Sequence, residues 1–318
     1  MIFGGQKMSF KFKNIGIEVT SICNSKCAVC PRETHYKIKP STMLLKLYKK
    51  IVNDLHSNKI EKTVRLSGIG DPSCDKFLIE RLRYNKKHTP GLDVVVLSNM
   101  GAWRNEYTDR IVEEILLSKM RFSVFAVSEQ ASLKIYGNKS QAGKARQNIE
   151  YFINKNNKKG RPIPTLMYTL LLEENKNEMD ELKKIYYDSM DEFEVWRPHS
   201  WSNIFPKLRR IKEKRRKCYR IEDFEPSIKF NGDICACCAD INHTMKYGNL
   251  SDSTIEEIYN SDSYKYYRDL NREGLIETLD TCRNCSYLNE DENDLSDILL
   301  EFKVPHADPQ IYVVTRRQ

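Results

Sequence analysis

The sequence predicts an α/β chain: a curved, partial (β/α)6 barrel resembling an incomplete TIM barrel, followed by a smaller cysteine-rich region. Three observations carry that reading. Apolar runs of strand length alternate with segments of helical period through the first two thirds of the 318 residues. Val94, Val95 and Val96 form a continuous β-branched run, expected of a strand buried on both faces, as in a parallel sheet. The alternation stops after Trp201, where a basic run and clustered cysteines begin.

The strand candidates are 15–19, 63–66, 94–97, 122–127, 164–171 and 193–196. Between them, 43–55, 76–84, 106–118, 141–156 and 176–187 carry apolar residues at three- and four-residue intervals. Strands alternating with helices imply a parallel sheet with right-handed crossovers. Six are too few for a closed eight-stranded barrel, and in such folds chemistry gathers at the carboxyl ends of the strands. The expected division is a domain over 1–205 and a smaller one over 206–318. Residues 290–294, Glu-Asp-Glu-Asn-Asp, read as a solvated acidic loop.

Composition narrows the function classes. Hydrophobic content of 40% and charged content of 30% fit a globular chain, and no apolar run approaches the roughly 20 residues of a membrane helix. The start lacks the features of a signal peptide, so the expected compartment is the cytoplasm. Ten cysteines without a secretory signal point to metal or cluster binding rather than disulfides. The net charge of +8 is concentrated in Lys207–Lys217, with eight basic residues against one acid. Such a run reads as a solvated helix or as an attraction for phosphate. With no aromatic residues interleaved among basic repeats, nucleic-acid binding is disfavoured.

The chemistry-bearing stretch is Cys23-Asn-Ser-Lys-Cys27-Ala-Val-Cys30, placed just after the first predicted strand. Thiolates spaced this way on one loop can hold three irons of a cubane cluster and leave the fourth open to a small molecule. Thiolate softness suits iron–sulfur or zinc. A tetrahedral zinc knuckle would need a fourth donor, for which His35 is the only nearby candidate.

These residues resemble the radical SAM enzymes, and weaker matches follow in order. Ser67-Gly68-Ile69-Gly70-Asp71-Pro72 ends the second strand and is similar to that family's glycine-rich segment, with Asp71 in place of Glu. Ser98-Asn99-Met100-Gly101 ends the third, and Ser128 falls near the end of the fourth. The resemblance implies a [4Fe-4S] cluster whose open iron chelates S-adenosylmethionine. It further implies one-electron cleavage to a 5′-deoxyadenosyl radical and hydrogen abstraction from a substrate. Gly68, Gly70, Asp71, Ser98, Asn99 and Ser128 are then the cofactor-binding candidates. The family often has an aromatic residue where Val29 stands.

A second array, Cys218-x13-Gly232-x4-Cys237 with Cys282-x2-Cys285, resembles the twitch form of the SPASM extension of these enzymes. It implies one auxiliary [4Fe-4S] cluster on Cys218, Cys237, Cys282 and Cys285. Cys235 is an alternative to Cys237, and a zinc ribbon is the alternative to the cluster. Asn231-Gly232 predicts the tight turn of a hairpin leading to Cys237.

Trp196-Arg197-Pro198-His199-Ser200-Trp201 closes the sixth strand, where Arg197 could hold an anion or hydroxyl and His199 could move a proton. Three readings follow. The first is oxidation or epimerisation of a small polar molecule such as a carbohydrate or aminocyclitol. The second is modification of a ribosomally made peptide, and the third a zinc-ribbon scaffold for nucleic acid. The resemblance also implies a flavodoxin- or ferredoxin-type electron donor.

Overall fold

The computed structural model describes residues 14–58, 62–196, 198, 200–202, 204–205, 217–283, 285 and 311–315. Six strands, β1 (Asn14–Ile17), β2 (Lys62–Leu66), β3 (Leu92–Ser98), β4 (Lys119–Ser123), β5 (Thr165–Leu170) and β6 (Glu192–Trp196), pair in sequence order, each parallel to the next. An order without reversal is that of a barrel rather than of a doubly wound sheet with a switch point. The expected parallel α/β architecture is present.

Helices α1 (Leu45–Ser57), α2 (Leu78–His88), α3 (Asn105–Glu114), α4 (Glu129–Tyr136), α5 (Gln141–Lys158) and α6 (Met179–Tyr186) lie between the strands. In α1, Tyr48, Ile51, Val52 and Leu55 are buried, the three- and four-residue spacing of one helical face. Two boundaries differ from expectation for identifiable reasons. The third helix stops at Glu114, not Ser118, because Ile115 takes a left-handed conformation (φ 46°) that ends it. The fourth strand spans 119–123 rather than 122–127, and Ser128 lies beyond it as the N-cap of α4, a helix the sequence pattern did not reveal.

The second region extends the same sheet. A short helix, α7 (Tyr219–Glu222), precedes β7 (Ser227–Ile228), β8 (Asp233–Cys235) and β9 (Lys246–Asn249). Strand β7 runs parallel to β1, and β8 and β9 follow antiparallel. The expected hairpin turn is present, with Gly232 at φ 89°, a value that suits glycine. Helices α8 (Ile255–Tyr259) and α9 (Asp262–Arg272) follow, and β10 (Ile311–Thr315) pairs antiparallel with β6. One apolar core joins Ile17, Leu66, Phe122 and Phe193 to Ile228 and Tyr264.

The inward face of the barrel is not apolar throughout. A cavity of about 380 Å³ near the amino-terminal ends of the strands is lined by Arg65, Asp93, Lys119, Arg121, Glu192 and Glu194 among others. Arg121 pairs with Glu194 at 2.7 Å and lies over the Tyr168 and Trp196 rings. Among the described residues, no helix is long and apolar enough to cross a membrane.

Candidate active site

The three-cysteine loop leaves the carboxyl end of β1 and is fastened from several sides. Backbone N–H groups of Lys26 and Ala28 donate to the Tyr136 and Ile135 carbonyls at the end of α4 (3.0 and 2.8 Å). The Asp71 N–H donates to the Ile22 carbonyl at 2.9 Å, and the Trp201 indole N–H to the Val29 carbonyl at 2.8 Å. Beneath the loop, Cys27 and Val29 pack on a small cluster that includes Phe125, Ile135 and Tyr136.

Gly68 and Gly70 serve this packing. A Cβ on Gly70 would fall 2.3 Å from the Thr20 carbonyl oxygen and 2.7 Å from that of Ile22. On Gly68 it would lie 2.5 Å from Cγ and Oε2 of Glu18. Close approach between the exits of β1 and β2 thus requires both glycines.

Asp71 is buried and accepts from the Ser98 hydroxyl (2.9 Å), the Asn99 N–H (2.7 Å) and both the N–H and hydroxyl of Ser73. It ties the ends of β2 and β3 together. Asn99 in turn donates from its side-chain amide to Cys23 Sγ (3.6 Å) and Asn24 Oδ1 (3.1 Å). Gln141 closes the ring of amides, donating to Asn99 Oδ1 and accepting from Asn24 Nδ2, both at 2.9 Å. Asn24 and Gln141 carried no signal in the sequence, because amide side chains become informative only once folding brings them together. Cys23, Gly68, Gly70, Asp71, Ser98 and Asn99 therefore meet at one end of the barrel. Ser128 instead caps α4, accepting from the Ala131 N–H at 3.1 Å, and its hydroxyl donates to Glu178.

Burial pushes the Cys23 thiol up to about 12, with Asp71 adding to the effect. Burial and the fields of Cys30 and Cys23 raise Cys27 further, and burial raises Cys30. Arg32 opposes all three rises. Three soft donors that repel one another as thiolates fit a group bringing its own positive metal charge. Among the described residues, no three His, Cys, Asp or Glu side chains are gathered as a single metal ion would require. A cubane takes its thiolates on separate irons, so its ligands need not converge as zinc ligands do. The loop fits an iron–sulfur cluster.

A second set of thiols lies in the appended region. Burial, the fields of Cys285 and Cys218, and that of Asp240 raise Cys282. Cys237 is raised by its neighbour Cys238, by burial and by Cys285. The Tyr247 ring lies in the fields of Cys218, Cys237 and Cys282. Cys235 is fully buried, and the charges acting on it are those of Lys229, Asp240, Asp233 and Glu18, while Tyr267 lies in the fields of both Cys235 and Cys282. The thiols of Cys218, Cys237, Cys282 and Cys285 share one neighbourhood and suit a second cluster on the same grounds. Arg197 and His199 lie outside the described residues, as does the basic run apart from Lys217.

A partial barrel with this loop at the end of its first strand, and a second thiol set on its extended sheet, defines a radical enzyme built on iron–sulfur clusters. The family model of the radical SAM superfamily matches residues 17–185, and that of an iron–sulfur cluster-binding domain, SPASM, matches 218–286. The chain belongs to the radical SAM superfamily: it is an enzyme that uses S-adenosylmethionine and iron–sulfur clusters. It is similar to the S-adenosyl-L-methionine-dependent 2-deoxy-scyllo-inosamine dehydrogenase of Niallia circulans, 19% identical over 91% of this chain and 98% of that one. The crystal structure of BtrN in complex with AdoMet and 2-DOIA superposes with a TM-score of 0.61, at 17% identity, over 86% of this chain and 92% of that one. Native anSMEcpe with bound AdoMet and Cp18Cys peptide gives 0.58, at 13% identity, over 87% of each. Membership of the superfamily sets aside the zinc-ribbon scaffold.

Proposed function

We propose that this enzyme oxidises or epimerises a small polyhydroxylated molecule of the carbohydrate or aminocyclitol kind. One observation carries the reading: at the carboxyl ends of β1 and β7, the end that holds the three-cysteine loop, the chain buries the charged side chains of Glu18 and Lys229, where a binder of apolar side chains would present an apolar wall. A site built from such groups selects ligands that can pair with them, because an analogue that cannot leaves them buried and unpaired. The similar length and layout of the aminocyclitol dehydrogenase support the same reading.

In this reading Cys23, Cys27 and Cys30 hold the cluster that binds S-adenosylmethionine, and Cys218, Cys237, Cys282 and Cys285 hold an auxiliary [4Fe-4S] cluster. When bound, these groups supply one-electron chemistry, taking a hydrogen atom from a substrate carbon and accepting the electron left over. The chain's own residues do the rest. Asp71 and Asn99 hold the cluster loop against the ends of β2 and β3, while Gly68 and Gly70 allow the close approach. Ser98 and Ser128 complete the cofactor-binding set. Oxidation of a carbinol also releases the hydroxyl proton; we assign orientation of that hydroxyl to Arg197 and removal of its proton to His199. Residues 1–205 and 206–318 divide these two tasks. A flavodoxin- or ferredoxin-type protein delivers the electron in the cytoplasm.

The peptide-modifying alternative is drawn from the peptide bound to anSMEcpe. The test is anaerobic turnover of reconstituted enzyme with S-adenosylmethionine and reductant, comparing 2-deoxy-scyllo-inosamine with a cysteine-containing peptide. Formation of 5′-deoxyadenosine stimulated by the aminocyclitol, with a ketone or epimer as product, is expected. Stimulation by the peptide alone would overturn the reading.

A further inference from the structure

Strands β1 and β7 pair in parallel with Ile17 opposite Ile228, and the Glu18 N–H donates to the Ile228 carbonyl at 2.8 Å. Both isoleucines are fully buried in the common core. The next residue on each chain points the other way, toward the barrel interior. Those residues are Glu18 and Lys229, 1% and 2% exposed.

Neither charge is fully answered. Glu18 Oε2 accepts from the Ile69 N–H at 2.9 Å, but Oε1 is buried without a hydrogen-bond partner among the described residues. The Lys229 ammonium makes no hydrogen bond or close ion pair among them; Glu18, Cys235, Cys238 and Asp240 offset its charge from a distance. The buried hydroxyl of Tyr36 also lies in the field of Glu18. Buried polar groups are ordinarily paired, so an unpaired buried carboxylate oxygen whose charge acts on a buried lysine calls for a partner from outside the chain.

The location is equally specific. Glu18 lies over Gly68, at the β2 exit that packs on the three-cysteine loop. Lys229 begins the turn of the hairpin that leads to Cys235 and Cys237. Glu18 thus stands at the strand exit that leads into the first thiol loop, and Lys229 at the head of the hairpin that leads toward the second set.

We propose that Glu18 and Lys229 are the substrate-recognition pair, gripping adjacent groups on a ring: Glu18 accepts from a hydroxyl or ammonium, and Lys229 donates to the neighbouring hydroxyl oxygen. A vicinal amino alcohol or diol has that chemistry. The assignment rests on the reaction class proposed above and names the groups that class must present.

The experiment uses reconstituted holoenzyme with 2-deoxy-scyllo-inosamine, scyllo-inositol and glucosamine as probes, and the variants Glu18→Gln and Lys229→Met. Wild-type stimulation by at least one probe tests the reaction class independently of the variants; no stimulation by any overturns both. Each variant is expected to keep its iron content, its melting temperature and its substrate-independent formation of 5′-deoxyadenosine, while KM for the stimulating probe rises tenfold or more. An unchanged KM in both variants overturns the pairing and leaves the reaction class standing. A rise in KM for S-adenosylmethionine instead overturns it too.

Discussion

The Asn99 side-chain amide donates to Cys23 Sγ at 3.6 Å, so the end of β3 reaches the first thiol of the cluster loop directly. The same residue is held by Asp71 through its backbone N–H and by Gln141 through its side chain. Asn99 therefore couples loop position to the sheet. A hydrogen bond to a charged group contributes about 1.5–3 kcal/mol, or roughly a ten- to hundredfold effect. Asn99→Ala should raise KM for S-adenosylmethionine by about that factor with iron content unchanged. Kinetics at normal iron loading checks this, and an unaltered KM would show that the loop holds itself.

Gly70→Ala puts a methyl against the Thr20 and Ile22 carbonyls, where backbone must move. Overpacking of this kind costs about 1–3 kcal/mol. Lower melting temperature and reduced iron uptake are expected together, because the displaced backbone leads into Cys23. Gly143→Ala provides the contrast: nothing lies within 4 Å of its Cβ, and it sits in α5, so the change should stabilise by about 0.5–1 kcal/mol. Thermal melts of the two variants should move in opposite directions.

The second thiol set separates two neighbours. Cys237 lies in the field of Cys285, whereas Cys235 is buried among Lys229, Asp240 and Asp233. Cys237→Ala should lose about four irons per chain, and Cys235→Ala none. The reverse pattern would move the cluster ligand to Cys235.

Asp233 gives the appended region an acid limit. Burial opposes its charge, but donation from Lys246, His243, Asn231 and Asn249 outweighs that and holds its carboxyl down to about 2 from 3.8. A carboxyl depressed on folding adds stability that is complete above its unfolded value and lost as pH falls through the folded one. The wild type should therefore weaken between about pH 4 and pH 2, and Asp233→Asn should flatten that part of the profile. Melts across the window check the difference, and parallel curves would contradict it.

Much of this was legible in the chain itself. Val94–Val96 marked the central strand because burial on both faces demands a continuous apolar run, and Cys23–Cys30 declared itself by spacing alone. Glu18 did not, since a single acid inside an apolar strand looks like an ordinary outward residue until β7 is laid beside it. Lys229 was one of 52 Lys and Arg residues, and only the β1–β7 register distinguishes it. Helix α4 was missed because, among its eight residues, only Ala131, Ser132, Ile135 and Tyr136 are buried, too short a stripe to stand out. Gly68 and Gly70 are cofactor-binding candidates by resemblance, and only the fold shows that they also make room for the Glu18 side chain and for the Thr20 and Ile22 carbonyls of the loop leaving β1.

The central claim is that the thiols of Cys23, Cys27 and Cys30 together initiate the reaction. Its most direct test replaces all three by alanine and measures 5′-deoxyadenosine after anaerobic reconstitution with S-adenosylmethionine and reductant. The wild type, with about eight irons per chain, should form it, and the triple variant, retaining about four, should form none. Persistent cleavage of S-adenosylmethionine by the triple variant would contradict the account.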